Sequence, residues 1–119
     1  MAITSTRQIV ITNNAPLTAS WTFPASSNTN APGDMHVLTL SGTTTISFPT
    51  GGTTVAGVTI LPPSGNTTSI TLKGTSGDTG IAIHKVDPTS IAFDTTSTTQ
   101  TGFVVVVSTT ITGLRIVWT

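Results

Sequence analysis

Asp34, Asp78 and Asp87, with His36 and His84, are the side chains of this sequence best suited to chemistry. They are also its only plausible metal ligands. Neither histidine stands in an H-x-x-x-H or H-x-H pair, and no cysteine could complete a set, so no zinc site is expected. An Asp/Asn loop could hold calcium weakly, and that reading is not adopted. A Ser-His-Asp arrangement could be picked out of any sequence this rich in serine. No G-x-S-x-G elbow is present to expose a nucleophile. The expectation is therefore no enzyme, with no catalytic, cofactor-binding or metal-binding residue.

Asp78-Thr79-Gly80 is the sharpest motif, because Asp-Thr-Gly is the catalytic triplet of aspartic proteases. In those enzymes two carboxylates share a proton and activate water. The surroundings disagree: Ser76-Gly77 precede the triplet where a hydrophobic strand belongs, and Ile81 follows where a small residue belongs. With glycines at 74, 77 and 80, the segment is expected to be a tight turn whose Asp78 carboxylate bonds nearby backbone N–H groups.

The glycines at 51 and 52, like those at 74, 77 and 80, precede no helix that could offer its N-terminus to a phosphate. Asn66-Thr67-Thr68 matches the glycosylation sequon, a match expected by chance in so Thr-rich a chain. Trp21 and Trp118 could stack on sugars. However, Trp21 alternates with Phe23, and Trp118 is in phase with Leu114 and Ile116, so both are expected in the core.

Composition sets the frame for these residues. Roughly a quarter of the chain is Thr, and Ser raises the hydroxyl share to about a third. Only 7% of residues are charged and the formal net charge is zero, which leaves no electrostatic footprint for nucleic acid or an anionic membrane. β-Branched residues suit a pleated sheet, and a mean hydropathy of +0.29 favours folding over disorder. No cysteine means no disulfide framework. The sequence from Met1 to Arg7 has no basic-then-apolar leader, and the longest apolar run, Phe103 to Val107, is far short of the ~20 residues of a membrane helix. A soluble protein that does not use the classical secretory route is expected.

No window carries the straight-chain residues and 3.6-residue period of a helix. Short β runs recur instead, bounded by Gly, Pro, Asn and Ser. They are Arg7 to Ile11, Leu17 to Phe23, Met35 to Leu40, Thr43 to Phe48, Val55 to Leu61, Ser69 to Lys73, Gly80 to Lys85, Thr89 to Phe93, Gly102 to Val107 and Ile111 to Trp118. A long polar loop is expected from Pro24 to Gly33, and a Ser41-Gly42 turn should make a hairpin of Met35 to Phe48. The predicted architecture is all-β: one domain over residues 1–119, a sandwich or jelly-roll-like barrel of about ten short strands. Val104 to Val107 does not alternate, so that strand is expected to be buried on both faces or at an interface.

Pro62-Pro63-Ser64-Gly65-Asn66, Ile70 to Gly74, Gly77 to Ile81, His84, Asp87-Pro88-Thr89 and the segment Leu114 to Thr119 resemble small β-rich virion proteins of tailed bacteriophages. The resemblance covers the C-terminal half and rests on style and short motifs. It implies a non-enzymatic structural protein on the virion surface, assembled in the host cytoplasm. Such a protein acts as a multi-copy capsid decoration (cement) or tail-tip accessory protein through protein–protein packing. Its partners would be major capsid or tail proteins, with a host-surface glycan as a further possibility. Low charge protects poorly against self-association, so a homo-oligomer is expected, a trimer by the resemblance. The competing reading is a carbohydrate-binding adhesin module.

Overall fold

The computed structural model describes residues 3–7, 10–12, 20–22, 26–31, 35–49, 54–94 and 101–119. They are mostly β-strand, with no helix among them. Strands β1 (Ile3–Arg7) and β4 (Ser26–Ala31) pair antiparallel, as do β2 (Val10–Thr12) and β3 (Ser20–Thr22). Six further strands form one curled sheet, a half-barrel: β5 (Met35–Ser47), β6 (Gly57–Leu61), β7 (Ile70–Lys73), β8 (Ile81–Ile83), β9 (Thr89–Ala92) and β10 (Gly102–Trp118).

β10 is the spine of that sheet. Along one side it pairs with β5 from Gly102↔Ser47 to Val117↔Met35. On its other side Val104–Val107 pair with β7, and Arg115–Trp118 pair with β6. β8 extends the β7 side and β9 the β6 side, so two arms share one pair of long strands. The register slips between Val107 and Ile111 and again between Thr112 and Leu114, where extra residues on β10 bend the pair. Gly113 (φ 85°) and Gly42 (φ 65°), the latter opposite Val107, supply the left-handed backbone that the bend uses.

The second slip also resets the side-chain phase. Phe103, Val105, Val107 and Ile111 are buried at even spacing. Leu114, Ile116 and Trp118 continue inward after an odd step of three. With Val58, Ile60, Ile70 and Leu72 they form a core common to both arms, which Leu40 and Ile46 of β5 complete. Outside it, hydroxyls meet: Thr68 Oγ1, in the loop before β7, and Thr109 Oγ1 of β10 lie 2.7 Å apart, and across β6 and β9 Thr59 Oγ1 donates to Ser90 Oγ at 3.2 Å.

One expected hairpin and one expected pair of separate strands are instead continuous strands. Ser41-Gly42 is not a reversal, because β10 runs past it as a partner on both sides and the bend at Gly42 suffices. Gly102 to Val107 and Ile111 to Trp118 are halves of β10, since Ser108-Thr109-Thr110 contains no residue that forces a turn. The loop expected from Pro24 to Gly33 contains β4, held by its pairing with β1, and the run Arg7 to Ile11 is divided between β1 and β2. Trp21 sits opposite Ile11 in register, while its packing and Phe23 lie outside the described residues.

Val105 is fully buried, and on the opposite face Val104 is 5% exposed while Val106 is half-buried, so the second face of this strand is covered at Val104 and only partly at Val106. The covering comes from its own chain: β10 is central, with Thr45 and Lys73 beside Val104 in register.

Candidate functional site

Asp78 closes the turn after β7. Its Oδ2 accepts the Thr75 backbone N–H at 2.7 Å, its Oδ1 accepts the Thr75 hydroxyl at 3.2 Å, and its own N–H donates to the Thr75 carbonyl at 3.2 Å. The Thr75 backbone bond, then the hydroxyl bond, hold the carboxyl below its ordinary value, with Lys73 adding a smaller charge effect. Gly80 leaves the turn at φ 84°, and a Cβ there would lie 2.6 Å from the Leu72 carbonyl oxygen. The Asp-Thr-Gly triplet is therefore a turn, as its glycines suggest. Its carboxylate is engaged by its own loop.

His84 opens a second turn, after β8. Its Nδ1 accepts the N–H of Val86 at 3.2 Å and of Asp87 at 2.8 Å, with Asp87 Oδ2 3.4 Å away. Asn66 joins this turn to the loop before β7. Its Nδ2 donates to the carbonyls of Thr68 (3.0 Å) and Lys85 (2.8 Å), and its Oδ1 accepts the Thr68 N–H at 3.1 Å. The sequon asparagine thus uses both of its amide hydrogens, one within its own loop and one across to the turn after β8. Asn66, Ile83, His84 and Val86 line a shallow hollow at this junction.

The structure keeps the candidate ligands apart. His36 is exposed on β5, His84 and Asp87 share one turn, Asp78 has another, and Asp34 lies outside the described residues. Among the described residues no three His, Cys, Asp or Glu side chains cluster as a metal site would require.

An open cleft of about 440 Å³ lies where the β7–β8 arm faces the β6–β9 arm. Leu72, Ile81, Ile91, Phe93 and Phe103 line it, with Lys73 among its few polar groups. Behind it stands an aromatic cluster: Phe48–Phe93 at 4.9 Å, Phe48–Trp118 at 5.4 Å and Phe103–Trp118 at 5.9 Å between ring centres. Trp118 is 1% exposed, a core residue as its phase predicts, and its indole Nε1 has no hydrogen-bond partner. Sequence reasoning did not identify this cleft. The available signal was the alternation Ile91, Phe93 beside the apolar start of β8 at Ile81. The geometry offers an apolar surface and two well-tied turns, and among the described residues Asp78 and His84 stand in separate turns. No family model matches this chain, and no curated protein or solved structure matches it.

Proposed function

We propose that this chain is a non-enzymatic structural protein of a tailed-phage virion, carried in many copies as a capsid decoration or tail-tip accessory protein. One observation carries the reading: Asp78 and His84, the described groups best suited to acid–base work, are engaged by their own turns. The hydroxyl-rich surface is then the working part. Its partners are major capsid or tail proteins and further copies of itself, and its place is the virion surface. The finer architecture we propose is a sandwich or jelly-roll-like barrel of about ten strands, of which the curled sheet is the main part. Mass spectrometry of purified particles, with the position of the gene, tests the function. Abundant copies on particles and a place beside head or tail genes are expected. Binding to a single glycan at millimolar or better affinity, with no copies on particles, would overturn the reading in favour of an adhesin.

A further inference from the structure

β5 is an edge strand unlike the other edges of its sheet. It runs for 13 residues, and among the described residues its only strand partner is β10. Among the described residues, the N–H and C=O groups on its far side therefore form an open ladder. Strands β1 to β4 pair only with one another, so none of them occupies that edge.

Proteins ordinarily protect such edges with charge, proline, bulges or brevity. The other two edges follow that rule. β8 is three residues long with Lys85 just beyond it, and β9 is four residues long between Asp87-Pro88 and Asp94. Met35–Ser47 contains no Lys, Arg, Asp, Glu or Pro along its thirteen residues, and the Pro32 and Asp34 that precede it lie outside the strand. The register slips of the spine lie on β10, so they do not interrupt the β5 edge itself. Its first turnless run also exposes two large apolar side chains, Met35 at 57% and Val37 at 60%. Both lie on the sheet face opposite buried Leu40.

We propose that the Met35–Leu40 edge pairs antiparallel with the same edge of a second copy, about a two-fold axis. Several observations select a second copy over a different protein. An uncharged edge gives a foreign partner no charge pattern to read, and no charge repels an identical strand. Antiparallel pairing also lets one edge satisfy its own donors and acceptors by symmetry, which is the isologous contact of a dimer. The pairing brings Met35 and Val37 of the two chains onto one face, where each shields the other from water. The Gly42 bend limits the straight contact to residues 35–40. This inference does not depend on the virion reading, since an isolated chain would pair in the same way.

The test is sedimentation equilibrium on the full chain across a dilution series, with hydrogen exchange at high and low concentration. The expected mass at tens of micromolar is twice that of the chain, with the outward amides of residues 35–40 exchanging more slowly as concentration rises. Met35→Lys/Val37→Lys should halve the mass while leaving the circular dichroism spectrum unchanged, because both side chains are exposed. Ile81→Lys, placed on an equally exposed apolar residue of β8, should remain dimeric. A wild-type monomer at these concentrations would overturn the proposal. So would a trimer, a double-lysine variant of undiminished mass, or protection that appears elsewhere and not on β5.

Discussion

Asn66 donates its side-chain amide to the backbone carbonyl of Lys85 at 2.8 Å, tying two loops that are nineteen residues apart. The same side chain closes its own loop through both the N–H and the C=O of Thr68. Asn66→Ala removes all three bonds and leaves the Lys85 carbonyl to water. A loss of about 1–2 kcal/mol is expected, since each bond nets roughly 0.5–1.5 kcal/mol and the site is only part-buried. Urea denaturation would show a lower midpoint with an unchanged slope.

Asp78 makes stability fall in acid. Its folded pKa is depressed by the Thr75 hydrogen bonds, so the contribution is fully present above the unfolded value of about 3.9. It declines as pH falls through the lower folded value, because the unfolded chain takes up the proton first. The stability difference between wild type and Asp78→Asn should therefore shrink as pH is lowered from neutrality to below the folded pKa. A difference that stayed constant over that range would remove the carboxylate from the account.

Two glycines with similar backbone angles should respond differently to alanine. At Gly65, φ is 73° and a Cβ would meet nothing within 4 Å, so Gly65→Ala should cost about 1–2 kcal/mol from backbone strain alone. At Gly80 the Cβ would also lie 2.7 Å from Lys73 Cγ and Thr71 Cγ2, besides the Leu72 carbonyl. Gly80→Ala should exceed the Gly65 value by about 1–3 kcal/mol. Equal losses in thermal melts would contradict the tight approach of this turn to β7.

Core substitutions on β10 separate packing from assembly. Val105→Lys should abolish folding, because its side chain is fully buried in the shared core of both arms. Trp118→Ala should cost about 3–5 kcal/mol. Trp118→Phe should cost clearly less, because it retains much of the aromatic contact and removes an indole N–H that has no partner. Near-equal losses for the two Trp118 variants would show that the ring packing contributes little.

What could be read from the chain follows the range of the interactions involved. Leu114, Ile116 and Trp118 alternate and are buried, and the unbroken Val104 to Val107 run marks a central strand whose second face is buried at Val104 and half-buried at Val106. The Asp78 turn was legible because its partners lie within four residues. Ser41-Gly42 misled because the same dipeptide suits a reversal or a bend, and only pairing with β10, some sixty residues onward, decides between them. The Asn66–Lys85 tie and the cleft depend on β7–β8 and β6–β9 pairing, which local patterns do not encode. Strand boundaries shifted for the same reason, as at β4, where pairing with β1 outweighs a turn-rich composition.

The place of β10 as common spine has a consequence for biosynthesis. β5, β6 and β7 all need residues 102–118 as their partner, and without them each has at most a short edge strand beside it. The sheet cannot be built progressively as the chain leaves the ribosome. It must wait until Trp118 is clear of the exit tunnel, and nascent chains stopped before Gly102 should remain fully protease-sensitive. Folding then becomes a proofreading step, in which only chains translated through β10 reach a state that can assemble.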